Sequence, residues 1–328
     1  MEEFRLDNPP ADAISCLRFS SGSNMLACSS WDGTVTLYDT DKSKMLARFY
    51  DKTAVLSCDI IDADTVCLGG LECVVKIYDF HLKQERILGY HHAAVSSVLY
   101  LREMNWVVSA SWDKTVKIWD LSKNVENEPL QTIELPAKVY RMDLNKDLKL
   151  FLALDGHQIA TCDLRSLATP PVVRESLLKF TLHSLAALLD GSGTIVGSIE
   201  GRVGVEFTDP AAGKPFSFRC HRMPDAFGNE VIYPVNAIAV HPIYGSFATG
   251  GSDGSVSMWD AVAKKRLAYF VNYTPGVVCL AFNRDGTKLA IGCSYAFEEG
   301  AGNPKAEMPC SIAIRSMKDA EVKPMAVA

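Results

Sequence analysis

The sequence predicts an all-β fold, a closed propeller of seven four-stranded blades. Three observations support this prediction. A strand–turn–strand pattern recurs along the chain, a further short strand precedes each copy, and an extra strand near the amino terminus can complete the last unit. With 328 residues, of which 48% are hydrophobic and 22% charged, the chain can form one large β domain over residues 1–328.

The recurring pattern has the spacing of a propeller blade. Each copy contains a tight Asp-Gly-like turn followed by alternating apolar residues, as in a half-buried β-hairpin. The turn residues lie at positions 32, 72, 113, 156, 200 and 253, so the intervals are 40, 41, 43, 44 and 53 residues. The strong copies are Trp31–Asp39, Trp112–Asp120 and Ser252–Asp260, and the weaker copies are Leu71–Asp79, Asp155–Asp163 and Ile199–Phe207.

The last unit is one strand short. It contains three strand-like segments, Val277–Phe282, Leu289–Ser294 and Ser311–Arg315, with a Gly/Pro/Glu-rich loop near residues 296–310. Phe4–Leu6 alternates correctly to supply the fourth strand. Because an open ring leaves unpaired strand edges, we expect the two chain ends to complete one blade together. The 53-residue interval indicates an insertion of roughly ten residues around Pro210–Tyr233.

Composition and charge restrict the classes of ligand. The chain has 33 basic and 39 acidic residues and a net charge of -6, which argues against bulk binding to nucleic-acid phosphates. No apolar run approaches the roughly 18 residues that span a membrane. The acidic start, Met1–Glu3, has no apolar leader, and the ten cysteines are scattered, which predicts reduced thiols in cytosol or nucleus. Neither a metal-binding spacing nor a phosphate loop is present, so no metal or cofactor is expected.

His92, Ser109, Asp113 and Trp119 invite a catalytic Ser-His-Asp interpretation. Their spacing instead matches the buried tetrad of a WD repeat, in which Trp donates to Ser, Ser to His and His to the turn Asp. Such a network satisfies buried polar groups. We therefore predict a structural role for this set and no catalytic residues.

Trp31 and Trp112 stand immediately before the turn Asp of repeats one and three. Core packing does not require Trp there, and the equivalent turns of all blades lie on one face of the ring. Both indoles should therefore emerge on the same surface, together with Arg202 of the fifth turn. The alternative is that each indole merely covers its neighbouring turn.

A basic cluster with aromatic neighbours, Phe218–Arg222, opens the insertion. Strand alternation would place Arg219 on one side and Cys220 on the other. The cluster is either a solvated outer strand or an anion-binding edge beside Arg202. Lys264–Arg266 follows the sixth Trp-Asp pair in an inter-strand turn and is expected to be solvated.

The sequence resembles a particular group of WD-repeat proteins, the spindle-checkpoint propellers that form the third group of the budding-uninhibited-by-benzimidazole family. The likeness runs from Phe4 to about Lys323. Its most specific segments are Ser29–Asp32, Ser111–Asp113, Arg174–Lys179, Ile199–Val203, Phe218–Arg222 and Ile232–Ile238.

The resemblance implies a non-enzymatic adaptor that binds a short segment of checkpoint kinases on its upper face and docks them on phosphorylated kinetochore repeats. Trp31 and Trp112 would be the walls of the groove, Arg202 would meet acidic residues of the segment, and Arg222 would bind phosphothreonine. The further partner-binding candidates of this likeness are Lys179, Arg219 and His221. A second basic residue used by some members would fall near Gly245, which is uncharged. The implied location is the nucleus and kinetochore, with a cytoplasmic pool.

Two other interpretations remain open. The messenger-RNA export propeller of the nuclear pore shares the Gly-Arg-Val and Cys-His-Arg segments and binds a comparable segment, but that group tends to have a longer amino terminus and a basic surface. A propeller enzyme would need convergent polar groups in the central channel, and the sequence identifies none.

Overall fold

Seven four-stranded antiparallel sheets form the blades of a ring in the computed structural model, which describes residues 3–123, 128–209, 211–225 and 227–324. Met1, Glu2 and Pro210, which entered the predictions above, lie outside these ranges. Structural neighbours described below share this propeller fold, so the predicted fold class is confirmed.

The first four blades follow one another without interruption. Blade 1 contains β2 (Ile14–Phe19), β3 (Met25–Ser30), β4 (Thr34–Asp39) and β5 (Lys44–Tyr50), and blade 2 contains β6 (Val55–Ile60), β7 (Thr65–Gly70), β8 (Val74–Asp79) and β9 (Gln84–Tyr90). Blade 3 contains β10 (Val95–Leu101), β11 (Trp106–Ser111), β12 (Thr115–Asp120) and β13 (Gln131–Glu134), and blade 4 contains β14 (Val139–Leu144), β15 (Lys149–Leu154), β16 (Gln158–Asp163) and β17 (Val172–Glu175).

The remaining blades include the insertion and the chain ends. Blade 5 contains β18 (Leu182–Ala187), β19 (Gly193–Ser198), β20 (Arg202–Phe207) and β21 (Phe216–Arg219), and the hairpin β22 (Arg222–Pro224) and β23 (Glu230–Ile232) follows it. Blade 6 contains β24 (Val235–Val240), β25 (Phe247–Gly251), β26 (Val256–Asp260) and β27 (Lys265–Phe270). Blade 7 contains β28 (Val277–Phe282), β29 (Lys288–Cys293), β30 (Ser311–Ser316) and β1 (Glu3–Arg5), and two short helices span Pro304–Glu307 (3₁₀) and Asp319–Val322 (α1).

The amino-terminal strand closes the ring as predicted. Phe4 pairs with Ile314 in an antiparallel register, and the main-chain N–H of Leu6 donates to the carbonyl of Ile312 at 2.9 Å. Glu3 accepts a 2.7 Å hydrogen bond from the hydroxyl of Tyr273. The edge of β30 is therefore paired rather than exposed.

Apolar residues on facing sheets form seven buried clusters, one between each pair of neighbouring blades. The alternation predicted from the sequence places these residues on the sheet faces, where they pack against the next blade. Each innermost strand also contacts the innermost strands of both neighbours, so the seven strands line a central channel.

The upper face is defined as the side that carries the turns between the second and third strands of each blade. The loops that lead from one blade to the next lie on the same side, because Asp51 N donates to Gly33 O at 2.8 Å and Trp31 N donates to Ala13 O at 2.9 Å. The β22–β23 hairpin and the long loop 294–310 both belong to this face. They approach each other where the ammonium of Lys305 lies 5.8 Å from the ring centre of Tyr233.

Blade 2 has Glu72-Cys73 in place of the usual Asp-Gly turn, and its turn is held by ion pairs to the buried side chain of Lys76. The ammonium of Lys76 contacts carboxylate oxygens of Asp51 at 2.8 Å and Glu72 at 2.6 Å. Cys73 adopts a φ of 64°, the left-handed conformation that Gly33 supplies in blade 1. The departure in the second repeat is thus accommodated within the blade. No helix of the described residues has the length and apolar character needed to cross a bilayer.

Candidate functional site

The upper face opens into a cavity of about 640 Å3 at the mouth of the channel. Each innermost strand has a β-bulge after its first residue, and a bulge redirects a side chain. The redirected residue of every blade lines this cavity. These seven residues are Ser15, Leu56, Ser96, Tyr140, His183, Asn236 and Val278.

Both predicted tryptophans lie at this cavity. Trp31 is 46% exposed, whereas Trp112 is partly buried and its indole N–H has no acceptor among the described residues. Ile199 occupies the same turn position in blade 5 and is also exposed in the cavity wall. The expectation that the two indoles share one surface is therefore met by the geometry, while their role in binding remains a prediction.

The tetrad of blade 3 uses His91, and the assignment of His92 was wrong. The Nδ1 of His91 lies 2.9 Å from Asp113, its Nε2 lies 2.8 Å from the hydroxyl of Ser109, and Trp119 Nε1 donates to that hydroxyl at 2.9 Å. His92 is exposed and only its main-chain N–H reaches Asp113. Adjacent residues on an extended chain point to opposite sides, so a one-residue shift exchanges a buried ring for an exposed one. Burial lowers the pKa of His91, which favours the neutral ring.

His221 belongs to a second tetrad in blade 6, so its ring is not available to a partner. The two ring nitrogens lie 2.9 Å from Asp253 and 2.9 Å from Thr249, and Trp259 Nε1 donates to the Thr249 hydroxyl. The side chain is 1% exposed. The sequence analysis missed this set because 32 residues separate His221 from Asp253, against 22 in blade 3. The inserted hairpin accounts for the additional ten.

Arg222 and Arg202 both contact Glu200 in the turn of blade 5. The guanidinium of Arg222 donates to the carbonyl of Glu200 at 2.9 Å and to the carboxylate of Glu230 at 2.6 Å. Arg202 lies 3.6 Å from the carboxylate of the same Glu200. The two arginines are thus close together, but the side chain of Arg222 is only 12% exposed and Glu230 already occupies one edge of its guanidinium.

Two further basic residues surround this turn. Arg219 is exposed and stands directly opposite Arg202 across the β20–β21 pair, and like charges in that position repel each other. Lys179 is exposed in the loop before β18, two residues from Thr181 in the cavity wall. The basic cluster, defined as Lys179, Arg202, Arg219 and Arg222, therefore adjoins the cavity at the blade 5 turn.

Gly245 does not belong to this surface. It lies in the turn between β24 and β25, at the opposite end of the strands, where an added Cβ would lie 3.7 Å from Leu189. The expectation that a second basic residue of the phosphate site would fall near Gly245 is wrong, because the turn between the first two strands of a blade faces away from the upper cavity. Its missing charge carries no information about that cavity.

Charged groups inside the channel escaped the sequence analysis. Arg18 of blade 1 reaches across to Asp143 of blade 4 at 3.9 Å, and Asp143 also accepts the main-chain N–H of Ala187. Burial raises the pKa of Asp143, and it raises that of Asp59 to about 6. These groups line or adjoin a lower cavity of about 880 Å3. Only ring closure brings strands so distant in sequence to one axis.

The long loop of blade 7 supplies part of the upper site that was also missed. Tyr295, Ala296 and Phe297 line the upper cavity, and Phe297 is 46% exposed. Their position after the second strand of a blade was a usable signal, since that is the position of Trp31 and Trp112. The length of the loop and its lack of an Asp-Gly turn concealed the equivalence.

Comparison with known proteins first defines the class. The family model described as "WD domain, G-beta repeat" matches residues 5–39, 82–120 and 229–260. Two solved structures share the fold. The structure of U3-55K has a TM-score of 0.80 at 17% identity, covering 96% of this chain and 98% of that one. The crystal structure of the RRP9 WD40 repeats has a TM-score of 0.82 at 16% identity, covering 97% of this chain and 98% of that one. The fold and its tetrads thus define a WD40-repeat propeller.

The full-length relatives then define the family. The chain is 41% identical to mitotic checkpoint protein BUB3.1 of Arabidopsis thaliana over 97% of this chain and 94% of that protein, and 36% identical to mitotic checkpoint protein bub-3 of Caenorhabditis elegans over 98% and 96%. It is also 35% identical to the poly(A)+ RNA export protein of Schizosaccharomyces pombe over 98% and 93%. The chain belongs to the Bub3 family of mitotic checkpoint WD-repeat proteins.

Proposed function

We propose that this protein is a non-enzymatic adaptor of the spindle assembly checkpoint, which binds a short segment of checkpoint kinases on its upper face and docks them on a phosphothreonine-containing kinetochore scaffold. The observation that carries the proposal is the pair of indoles at one cavity: Trp31 is exposed on its rim and Trp112 forms its wall. Aromatic anchors in a partly enclosed groove dominate the energy of many peptide interfaces.

The adjoining basic cluster supports the second half of the proposal. A phosphothreonine carries about two negative charges and three acceptor oxygens, which an arginine fork binds through charge-assisted hydrogen bonds. Arg202, Arg219 and Arg222 offer such donors beside the groove. An adaptor role also agrees with the use of both His-Asp pairs inside blades, where their ring nitrogens are already hydrogen bonded. The proposed location is the nucleus and kinetochore, with a cytoplasmic pool.

The first test is the set of proteins that co-purify with the chain from mitotic and interphase cells, identified by mass spectrometry. Checkpoint kinases and kinetochore subunits in the mitotic sample would support the proposal. Recovery of nuclear-pore and messenger-RNA factors in their place would overturn it in favour of an export role, which the Schizosaccharomyces pombe relative makes the second candidate.

The second test measures the groove directly. Trp31→Ala and Trp112→Ala should each weaken binding of a checkpoint-kinase segment by about 2 kcal/mol or more, because each removes a large aromatic contact. Calorimetry would give the affinity, and thermal melting of the same samples would give the stability. If a variant loses stability but keeps its affinity, that indole covers its neighbouring turn and does not bind the segment.

A further inference from the structure

Two cysteine side chains meet at the junction between blades 1 and 2. Cys16 lies on β2 and Cys58 on β6, the innermost strands of these blades, and 42 residues separate them in the sequence. The Sγ of Cys16 lies 3.8 Å from the main-chain carbonyl oxygen of Cys58, and the two thiols are hydrogen bonded to each other. Both are free cysteines. The junction therefore holds a pair of thiols in direct contact.

The register of the innermost strands explains this contact. The first residue after the β-bulge directs its side chain towards the next blade. Ser184 reaches a carbonyl oxygen of blade 6 at 2.8 Å, and Cys279 approaches one of blade 1 at 4.0 Å. Cys16 occupies this position in blade 1 and faces blade 2. The thiol of Cys279 thus belongs to the junction between blades 7 and 1, and Cys58 is the partner that Cys16 meets.

The two thiols differ in their access to solvent. Cys16 is partly exposed and lines the lower cavity of the channel. Cys58 is fully buried in the apolar cluster between blades 1 and 2, which also contains Leu37 and Leu68. A small molecule that enters the channel therefore reaches the sulfur of Cys16 first, and Cys58 is reached only through Cys16.

The positive charge beside Cys16 comes from two blades. Arg18 follows two residues later on β2 and lies on the same side of the strand, and Arg141 holds the equivalent position after the bulge in blade 4. Both arginines line the lower cavity, and Asp143 offsets part of the Arg18 charge at 3.9 Å. The hydrogen bond with Cys58, followed by the charges of Arg18 and Arg141, lowers the pKa of Cys16, although desolvation opposes this change. The same hydrogen bond, together with burial, raises the pKa of Cys58, so Cys16 is the nucleophile of the pair.

We propose that Cys16, activated by Arg18 and Arg141, is oxidised by a hydroperoxide and then forms a reversible disulfide with Cys58. The nucleophile is open to the channel, and the second thiol waits in contact with it inside the junction. An accessible thiolate beside a second, resolving cysteine is the arrangement that favours such oxidation. This modification site is independent of the proposed function, because it involves neither tryptophan of the upper face.

The reaction proceeds in two balanced steps. The Cys16 thiolate attacks one oxygen of hydrogen peroxide, the O–O bond breaks, and Cys16 sulfenic acid and hydroxide form. The sulfur of Cys58 then attacks the sulfur of Cys16, so that the S–S bond forms and the S–O bond breaks. The departing hydroxide takes the proton of Cys58 and leaves as water. In sum, two thiols lose two electrons, and one hydrogen peroxide is reduced to two waters.

The test maps the disulfide in the full chain by mass spectrometry. Reduced protein is treated with a small molar excess of hydrogen peroxide, and the remaining thiols are alkylated. Digestion with trypsin and with a protease that cleaves before Asp isolates Cys16 in residues 12–18 and Cys58 in residues 53–58. We expect these two peptides to be joined, and dithiothreitol should separate them.

Variants then assign the two roles. Cys58→Ala should leave Cys16 as a sulfenic acid, which dimedone traps on residues 12–18, whereas Cys16→Ser should give neither product. Cys162→Ser is the matched control, because Cys162 is a buried cysteine of blade 4 and should leave the cross-link unchanged. The melting temperature of each variant shows whether it is folded.

The rate of cross-linking at neutral pH tests the activation. Arg141→Met should slow it by at least about threefold, because the thiolate loses a stabilising charge. Arg284→Met is the matched control, since Arg284 is an exposed arginine that lines the same cavity and should leave the rate unchanged. Equal rates in the two variants would overturn the activation of Cys16 by Arg141.

Three results would overturn the disulfide itself. The first is a folded parent protein in which peroxide leaves residues 12–18 and 53–58 unjoined. The second is a cross-link from Cys16 to Cys28 or Cys279 in place of Cys58. The third is Cys58→Ala protein in which peroxide oxidises Cys73 or Cys310 while Cys16 stays a free thiol. None of these readouts requires a binding partner, so failure of the disulfide leaves the proposed adaptor function standing, and failure of the adaptor function leaves the disulfide standing.

Discussion

Closure of the ring by the amino-terminal strand makes Leu6→Ala a sensitive probe of the fold. Leu6 is 4% exposed and belongs to the buried cluster between blades 7 and 1, which also contains Ile14 and Ile312. Its main-chain N–H continues the pairing of β1 with β30. Truncation of this side chain should therefore weaken the junction that holds the two chain ends together.

The expected loss follows from the burial of Leu6. Removing a buried Leu side chain costs about 2–5 kcal/mol, depending on how far the surroundings collapse into the space. The site lies near a chain end, where relaxation is easier, so we expect about 2–3 kcal/mol. Arg5→Ala is the matched control. Arg5 is the exposed neighbour on the same strand and pairs through its main chain with Ala313, so its loss should stay within about 0.5 kcal/mol.

Equilibrium urea denaturation, followed by tryptophan fluorescence, measures the free energy of unfolding of both variants and of the parent. Because the whole ring depends on the junction, the midpoint of Leu6→Ala should fall without a change in slope. Deletion of residues 1–8 should lower the melting temperature of the whole domain by at least a few degrees.

Two results would refute the reasoning about closure. The first is a Leu6→Ala midpoint equal to that of Arg5→Ala. The second is a truncated protein that melts within about a degree of the parent, since the edge of β30 would then be stable without its partner strand.

Three further predictions concern buried hydrogen bonds, the basic cluster and pH. Ser109→Ala should lower the free energy of unfolding, measured by urea denaturation, by about 1–3 kcal/mol, because it leaves the buried indole N–H of Trp119 without an acceptor. Ser217→Ala, at an exposed position, should change this free energy by less than about 0.5 kcal/mol, and equal losses in the two variants would contradict the tetrad. Glu230→Gln should raise the affinity for a threonine-phosphorylated kinetochore peptide, measured by calorimetry at low salt, because it frees the Arg222 guanidinium; an unchanged affinity would argue against Arg222 as the phosphate ligand. The pKa of His183 is lowered from 6.5 to about 4, so the unfolded chain binds the proton first and stability is lost as pH falls from 6.5 towards 4. Wild type should lose up to about 1.4 kcal/mol per pH unit more than His183→Asn over this range, and parallel pH profiles would refute the assignment.

Short sequence patterns correctly predicted those features of the fold that are formed by residues close together in the chain. A hairpin turn and its alternating strands are specified within about ten residues, so the positions of Asp32, Asp113 and Asp253 located the blades correctly. The same periodicity identified Phe4–Leu6 as a strand without a partner. Closure then followed from the cost of an open sheet edge.

The predictions were wrong where a one-residue shift in strand register, or an insertion, changed the position of a side chain. His91 and His92 are identical residue types, and only the way β9 continues decides which ring turns inward. His221 looked like part of an exposed basic cluster because the inserted hairpin separates it in sequence from Asp253. Gly245, expected near the place of a second phosphate-binding residue, lies in the turn between β24 and β25, at the opposite end of the strands from the upper cavity.

The sequence by itself determined the seven blades, the closing strand and the common surface of Trp31 and Trp112, because each depends on a short repeat and its alternation. Only the tertiary structure decided which side chains lie together inside the ring. Seven bulges turn one side chain per blade towards the upper cavity, and closure brings Trp112, Arg141 and His183 of three blades to its floor. Residues that meet across the channel have no regular spacing in the sequence, because their contact depends on distances between blades.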